Sequence, residues 1–498
     1  MTAAPHWSGR SRRPGPELPF QFLRTNRQAW GALALLFLVS LPAVTTRIYA
    51  SDEAEYFSYL RSLWFDHDVS FENEYRYFYE HGLERASGFH ETFLERQSAT
   101  GLRENWATIG CAILWSPFYA AADFGVRVLR LGGPADGFSH PYVAAVCYGS
   151  AFYGFLALVL SAAAAAKVLR ANDADGTGGA GRRTDVAVVL AIWLGTPLLF
   201  YMYVSPPFSH ACSAFAVAAF VLAWLHVREG WSTRGLVLLG VLAALMAMVR
   251  EQDLFFAVGP ALDFAVKLVR GRSPSSTGTP VRSTGALLVG AAAGVAAGAV
   301  AYLPQALAYL ALNGRIGPSQ MVARKMSWAA PHALQVMFSP EHGLFFWTPL
   351  ALLALAGLAV VARMGGDRRR VAAALAVMFV AQVYVSGCVD SWSAAGAFGH
   401  RRFVGTTIIL VVGLAALAQV PARRLARFAV TTAAVLCIWW NLALMVQFGT
   451  GWMDRQRLEL GRNARTAFVE VPAKMPGLAW RYLVDRGSFY AAPDGGGR

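Results

Sequence analysis

The sequence predicts an all-α polytopic membrane protein with about eleven transmembrane helices and a large external loop after the first of them. Three observations support this fold class. The 498 residues are 56% hydrophobic and only 15% charged, whereas about a quarter of the residues of a soluble protein are charged. Apolar runs long enough to cross a bilayer recur along the whole chain. Short clusters of basic residues separate these runs, as is typical of loops that orient a membrane protein.

The charge and the cysteines exclude two other classes of protein. A net charge of +14 is also found in nucleic-acid-binding proteins, but here the basic residues are not gathered into one basic domain. We therefore expect no nucleic-acid partner. The five cysteines are scattered in or beside apolar runs, so neither a disulfide framework nor a zinc site is indicated.

The apolar runs divide the chain into five regions. We expect 1–27 to be a cytoplasmic N-terminus and 28–46 to be the first transmembrane helix, an uncleaved signal anchor. A large external loop with interfacial helices follows at 47–140. A bundle of about ten transmembrane helices occupies 141–448, and 449–498 form an external C-terminal tail. The eleven predicted spans are 28–46, 141–166, 186–204, 207–227, 235–250, 252–269, 284–312, 342–362, 371–389, 403–420 and 428–448.

One further apolar run, 106–131, is assigned by charge. If it lies at the outer surface, every basic inter-span cluster falls on the cytoplasmic side, as the positive-inside rule requires. Pro117, Asp123 and Arg127 also suit an interface better than a bilayer core. We therefore expect 106–131 to be an interfacial element that does not cross the membrane.

The segment after the first span is the most acidic part of the chain. Residues 47–104 contain 12 Asp or Glu and 6 Arg, and the apolar spacing after Ser51 is that of a helix. Asp52 and Glu55 match a D-x-x-E cap at its start. Asp52 and Glu53 therefore have two interpretations: they cap the helix and complement its dipole, or they perform chemistry at the membrane surface.

Several stretches resemble a known family. After the first span, "DEAEYFSYLRSL" (52–63) resembles the catalytic segment of membrane-embedded GT-C glycosyltransferases, most closely the bacterial dolichyl-phosphate-mannose–protein mannosyltransferase-like and aminoarabinose-transferase-like proteins. The similarity covers most of the chain and continues in four further stretches. These are "NWATIGCAILWSPFYAAA" (105–122), "SPPFSHACSAF" (205–215), "FSPEHGLFFWTPL" (338–350) and "WSAAGAFGHRRF" (392–403).

The resemblance implies inverting transfer of a sugar from a polyprenyl-phosphate donor to an acceptor at the outer face of the cytoplasmic membrane, with 47–140 as the catalytic loop. A hydroxyl acceptor needs a base, and Asp52 is the candidate. Glu53 is the candidate for orienting the acceptor or the base. Some relatives hold the donor phosphate with a basic residue soon after the D-E pair. This sequence has Ala54 and Glu55 at those positions, so that role is unassigned.

Other residues are candidates for binding the substrates. Arg401 and Arg402 follow a glycine-rich turn just before a span, and arginine suits a phosphate group. Arg61 and Arg250 are further candidate phosphate ligands, although a lone interfacial arginine often contacts lipid headgroups. His210 is a candidate hydrogen-bond partner of the substrate, or a structural histidine at the membrane boundary.

Asp66 and Asp68 form a D-x-D pattern, by which many soluble glycosyltransferases hold a divalent cation. We expect these two residues mainly to fold the loop and the activity to require no cofactor, with a divalent cation at this pair as the alternative. The sequence names neither the sugar nor the acceptor, which is a glycan, a lipid or a protein.

Two other functions fit a polytopic chain. One is a transporter or flippase of lipid-linked glycans, for which paired halves and ionisable residues at mid-membrane are typical. The other is a polysaccharide polymerase or ligase. No internal repeat is visible, and the long external loop favours the enzyme.

Overall fold

The computed structural model describes residues 27–84, 86, 88–169, 181–270, 283–394, 396–420 and 423–489. Throughout this part of the chain the regular secondary structure is helical and no β-strand is present. Two isolated β-bridges pair Gln97 with Arg103 and Met326 with Val389. The prediction of an all-α fold is therefore confirmed for the described residues.

The first part of the chain contains one apolar helix followed by shorter helices. These are α1 (Arg27–Ser40), α2 (Ser51–Arg61), α3 (Glu72–Phe78) and α4 (Gly110–Arg127). Three π-helical turns lie between α2 and α4, at Ser62–Asp66, Tyr79–Leu83 and His90–Glu95.

The remaining helices form the bundle and the tail. The first group comprises α5 (His140–Leu169), α6 (Gly181–Gly195), α7 (Leu198–Tyr203), α8 (His210–Val227), α9 (Thr233–Val249), α10 (Val258–Arg270), α11 (Thr284–Ala301) and α12 (Leu303–Asn313). The second group comprises α13 (Gln320–Arg324), α14 (Ala333–Phe338), α15 (Leu344–Trp347), α16 (Leu350–Arg363), α17 (Gly366–Gly387), α18 (Thr407–Gln419), α19 (Arg424–Thr450), α20 (Leu460–Arg465) and α21 (Val471–Val484). Of the 3-10 helices, Glu251–Ala257 precedes α10 and Arg401–Thr406 precedes α18, while Leu41–Ala43 follows α1 and Arg486–Phe489 follows α21.

Among the described residues, six helical stretches are long and apolar enough to cross a membrane. They are His140–Leu169, His210–Val227, Thr284–Ala301, Gly366–Gly387, Arg401–Gln419 and Arg424–Thr450. Eighteen residues of α-helix rise about 27 Å, close to the thickness of the hydrocarbon core. This architecture is that of an α-helical membrane protein, while the number of eleven spans stays a prediction.

Several predicted spans are each built from two helical pieces. The predicted span 186–204 is interrupted at Pro197, between α6 and α7, and 342–362 is interrupted at Pro349, between α15 and α16. In 284–312, α11 ends at Ala301 and α12 begins with Pro304 in its first turn. Proline lacks a backbone N–H and clashes with the preceding turn, so a helix ends or bends there.

The predicted interfacial run contains α4, an 18-residue helix that carries two charged residues near its end. Asp123 Oδ1 accepts hydrogen bonds from Arg127 Nε at 2.8 Å and from the Tyr142 hydroxyl at 2.6 Å. This helix is not one of the six long apolar stretches. Its interfacial position stays a prediction.

Ion pairs join the bundle helices at one end. Arg228, just after α8, pairs with Asp263 of α10 at 2.8 Å and also with Asp367 of α17. Lys167 near the end of α5 pairs with Glu229. All of these charged residues except Asp263, which lies inside the predicted span 252–269, belong to the loops predicted to be cytoplasmic or to their borders.

Glycines allow two pairs of bundle helices to touch through their backbones. A Cβ atom placed on Gly240 of α9 would lie 1.9 Å from the carbonyl oxygen of Gly294 in α11. A Cβ atom on Gly357 of α16 would lie 1.8 Å from the carbonyl oxygen of Gly413 in α18. Small residues at helix contacts are how membrane helices pack closely without a hydrophobic driving force.

The C-terminal segment returns to the end of α1. The Tyr482 hydroxyl donates a hydrogen bond to the Ala43 carbonyl at 3.2 Å, and Arg486 Nη1 donates one to the Pro42 carbonyl at 2.6 Å. The tail therefore lies at the end of the molecule where the segment 47–140 begins. That both regions face the external side stays a prediction.

The orientation can be tested by labelling single cysteines. Ala135 and Gly230 are exposed and belong to connections predicted to lie on opposite sides. We expect a membrane-impermeant maleimide to label Ala135→Cys in intact cells and Gly230→Cys only after permeabilisation. The native cysteines are buried or half-buried, which keeps background labelling low. Labelling of Gly230→Cys but not Ala135→Cys in intact cells would reverse the predicted topology.

Candidate functional site

A cavity of about 620 Å³ lies at the end of the bundle opposite the Arg228 ion pairs. Its walls are formed by the beginning of α2, residues 106–108 and 208–210, the 3-10 helices Glu251–Ala257 and Arg401–Thr406, residues 318–328, and Val385 and Val389. Seven charged residues line it: Asp52, Glu55, Arg250, Glu251, Lys325, Arg401 and Arg402. The lining also contains the aromatic residues Tyr56, Trp106, Phe208, Phe255 and Trp328.

The start of α2 is held by Glu53. Its Oε2 atom accepts hydrogen bonds from the backbone N–H groups of Tyr49, at 2.9 Å, and Ala50, at 3.2 Å. These contacts satisfy donors that the helix itself leaves unpaired. Glu53 is fully buried and does not line the cavity. The structure therefore gives Glu53 a capping contact rather than a place in the cavity lining.

The predicted D-x-x-E cap of Asp52 and Glu55 is not formed. The cap position is Ala50, two residues before Asp52, so Glu53 rather than Glu55 occupies the position from which a side chain reaches back to the cap. Glu55 instead accepts a hydrogen bond at Oε1 from the backbone N–H of Trp106, at 2.7 Å.

Asp52 forms an ion pair with a residue from the far part of the chain. Its Oδ2 atom accepts a hydrogen bond from Arg401 Nη1 at 2.7 Å, across 349 residues of sequence. The side chain of Asp52 is 42% exposed and that of Arg401 is 23% exposed, so both remain accessible from the cavity. The Arg401 guanidinium also lies 5.4 Å from the Phe208 ring centre.

Two further arginines are held in place around the cavity. Arg402 donates from Nη1 to the Ser391 carbonyl at 2.8 Å and from Nη2 to the Ser391 hydroxyl at 3.0 Å. Arg250 Nη1 donates to Ser209 Oγ at 3.2 Å and to His210 Nδ1 at 2.8 Å. An arginine only donates, so His210 Nδ1 is the acceptor and its proton is on Nε2.

Lys325 brings a fourth cation from a different segment. Its Nζ atom lies 4.5 Å from the centre of the Trp106 ring. Its backbone carbonyl accepts a hydrogen bond from Asp390 N at 2.8 Å, which ties the 318–328 segment to the turn before Arg401. The sequence predicted an external loop here but offered no signal that singled out Lys325.

Glu55 is the second carboxyl group in the cavity, one helical turn after Asp52. Burial, reinforced by the negative charge of Asp52, raises the pKa of Glu55 to about 8. Burial likewise raises the pKa of Glu251, whose Oε1 accepts a hydrogen bond from the Tyr309 hydroxyl at 2.7 Å. The D-E-A-E spacing (52–55) places Glu55 on the same face of the helix as Asp52. In the sequence analysis this spacing was interpreted only as a helix cap.

The structure does not bring Arg61 to the cavity. Its Nη1 atom pairs with Glu74 at 2.9 Å and with Asp66, and its Nε atom donates to the Asp136 carbonyl at 3.2 Å. Asp68 accepts hydrogen bonds from Ser62 Oγ at 2.8 Å and Ser70 N at 3.0 Å. Both residues of the D-x-D pattern therefore have contacts that fold the loop.

No metal-binding cluster stands out in the part of the chain that the structure describes. There, no group of three or more His, Cys, Asp or Glu side chains is arranged to hold an ion. Whether Asp66 and Asp68 bind a divalent cation stays an open alternative.

Comparisons of this chain with models of known protein families and with curated proteins find no match.

Burial of Glu53 gives the stability of the protein a specific pH dependence. Burial raises the pKa of this carboxyl group from 4.5 to about 8. The folded protein then binds a proton that the unfolded chain releases, so this contribution is complete below pH 4.5 and is lost as the pH rises through 8. The slope for one such group is at most about 1.4 kcal/mol per pH unit.

We expect Glu53→Gln to reduce this loss, because glutamine keeps an oxygen for Tyr49 N and Ala50 N but does not ionise. The melting temperature in detergent, measured from about pH 5 to about pH 9, should fall less for Glu53→Gln than for the wild type. Part of the pH dependence should remain in this variant, because burial also raises the pKa of Glu55. The exposed Glu80→Gln serves as the control and should follow the wild type. Identical slopes for wild type and Glu53→Gln would contradict the prediction.

Proposed function

We propose that this protein is a glycosyltransferase that moves a sugar from a polyprenyl-phosphate donor to an acceptor, with inversion at the sugar carbon. The observation that supports this most strongly is the Asp52–Arg401 pair at a cavity that also contains Arg250, Lys325 and Arg402. An accessible carboxylate among several cations suits transfer from a phosphate leaving group.

Asp52 is the general base in this proposal. Its carboxylate takes the proton of the acceptor hydroxyl while the hydroxyl oxygen attacks the anomeric carbon. The bond between that carbon and the phosphate oxygen breaks, and its electron pair leaves with the lipid phosphate. One base is enough for inversion, because a phosphate leaves without first being protonated.

The cations of the cavity neutralise the departing phosphate. Arg401 is suited to this role because its guanidinium has donors beyond the one used by Asp52, and Arg402 and Lys325 add charge on neighbouring walls. Arginine forms forked hydrogen bonds to phosphate oxygens and keeps its charge. The Ser391 contacts of Arg402 and the His210 contact of Arg250 hold these groups in place before the substrate binds.

The apolar lining of the cavity suits a lipid-linked donor. Phe255 and Trp328 lie with ring centres 6.1 Å apart and are partly exposed, and Val385 and Val389 line the same cavity. In the proposed arrangement, about eleven helices of a GT-C-like bundle cross the cytoplasmic membrane. The site opens on the external side, where membrane lipids surround the donor chain and a glycan, lipid or protein acceptor arrives from water.

Replacing Asp52 tests the base directly. We expect Asp52→Asn to lower the transfer rate by about 10²–10⁴-fold, because asparagine cannot accept the proton. The melting temperature should change little, since Glu53 caps the helix and asparagine still offers an oxygen to Arg401. The measurement is transfer of labelled sugar in proteoliposomes. Undiminished transfer by folded Asp52→Asn would remove the catalytic role, and lipid movement without any transfer would indicate a flippase.

Replacing the cavity arginines tests phosphate binding. We expect Arg401→Gln and Arg402→Gln each to raise the KM for the polyprenyl-phosphate donor by about tenfold or more, because a charge-assisted hydrogen bond is lost. Arg61→Gln is the matched control: Arg61 lies outside the cavity, so this change should lower stability without raising the donor KM. Unchanged donor KM in both cavity variants would exclude these arginines from the phosphate site.

A further inference from the structure

A second cavity, of about 310 Å³, lies beside the first. Residues 98–104 form one wall, and residues 313–324 form the other. Seven of its nine lining residues have polar side chains: Ser98, Glu104, Asn313, Arg315, Ser319, Gln320 and Arg324.

A thin wall divides the two cavities. The short helix α13 and its flanks line both of them: Val322 and Ala323 face the first, whereas Gln320 and Arg324 face the second. The segment 104–106 also lines both cavities, with Trp106 at the first and Glu104 at the second.

An indole–carboxylate hydrogen bond forms part of this wall. Glu104 lines the second cavity and Trp106 lines the first, and Trp106 Nε1 donates to Glu104 Oε2 at 2.7 Å. The backbone N–H of Trp106 in turn donates to Glu55, which lies one helical turn from Asp52. A short series of contacts therefore links the second cavity to the proposed base.

The second cavity carries positive charge that the protein does not neutralise with ion pairs. Among the described residues, neither Arg315 nor Arg324 has a carboxylate partner within ion-pair distance. Arg315 donates to the backbone carbonyl of Pro318. Glu104, the one acidic residue of this lining, already accepts from Trp106. Hydroxyl and amide groups complete the lining, a combination that suits a ligand with several hydroxyl groups and a negative charge.

The position of this cavity favours the acceptor over the donor. Its walls come from the external segments 98–104 and 313–324, and Asn313 is the last residue of α12. A lipid-linked donor needs large apolar side chains to contact, and the first cavity offers Phe255, Trp328, Val385 and Val389. A ligand of the second cavity arrives from water.

We propose that the second cavity binds the acceptor of the transfer reaction, and that this acceptor is an anionic glycan held by Arg315 and Arg324. The inference rests on the proposed function, since it assigns the second substrate of that reaction. The bulk of the glycan lies in the second cavity, and its reacting hydroxyl reaches Asp52 past Trp106. The anionic group is a phosphate or a sugar carboxylate.

Direct binding tests this assignment without turnover. The probes are glucose 6-phosphate and glucuronic acid, with glucose as the neutral control, and the measurement is titration of the detergent-solubilised protein by thermal shift. We expect at least one of the anionic sugars to raise the melting temperature with a saturable dose dependence. Glucose should bind at least about tenfold more weakly, because charge-assisted hydrogen bonds are stronger than neutral ones. The preferred probe identifies the anionic group. Equal binding of glucose, or no binding of any probe, would overturn the proposal.

Variants assign the binding to the second cavity. The double variant Arg315→Gln, Arg324→Gln should weaken anionic-sugar binding by about tenfold or more, and the charge-keeping Arg315→Lys, Arg324→Lys should retain most of it. Arg402→Gln, in the first cavity, is the matched control and should bind the probe as the wild type does. Loss of binding in Arg402→Gln with full binding in the double glutamine variant would place the ligand in the first cavity and refute the assignment.

A second measurement separates this inference from the proposed function. In this proposal the polyprenyl-phosphate sugar binds in the first cavity alone. We expect the double glutamine variant to bind this donor with the wild-type affinity, whereas Arg401→Gln binds it more weakly. No binding of the donor by the wild type would contradict the proposed function, and unchanged probe binding in the double variant would contradict only the acceptor site.

Discussion

The ion pair between Asp52 and Arg401 is the contact on which the site depends. It joins the first helix after α1 to the 3-10 helix that precedes α18, and so brings together two parts of the chain separated by 349 residues. The pair is available because Glu53, rather than Asp52, satisfies the free N–H groups at the start of α2. Capping and ion pairing are thus divided between two adjacent carboxylates.

The irregular segments of the protein have a common location. Inside a bilayer, backbone N–H and C=O groups must be satisfied within the protein, so long regular helices occupy that region. The 3-10 helices Glu251–Ala257 and Arg401–Thr406, the 318–328 segment and the β-bridge of Met326 with Val389 meet at one end of the bundle instead. At that end, backbone turns can direct side chains from seven separate segments toward one cavity.

The sequence predicted the helical membrane fold and much of the cavity, because both leave local signals. Apolar runs revealed the long helices, and Asp52, His210, Arg250, Arg401 and Arg402 all line the cavity. Arg61 resembled a phosphate ligand by position, but its partners Asp66 and Glu74 come from a fold of the loop that the spacing does not encode. Lys325 and Trp106 meet only through tertiary packing, which has no pattern in a single sequence. Pro197, Pro304 and Pro349 can be seen in the sequence. The apolar pattern around each of them is the same whether the helix ends there or continues with a bend, so it did not predict the breaks.

The hydrogen bond from Arg250 to His210 determines which groups of the cavity exchange protons. His210 holds its one proton on Nε2, and its Nδ1 lone pair is occupied by a guanidinium 2.8 Å away. A second proton on the ring would remove that acceptor and place two positive charges side by side. His210 is the one histidine among the residues that line the cavity. Acid–base chemistry there consequently belongs to carboxyl groups, with His210 serving to position Arg250.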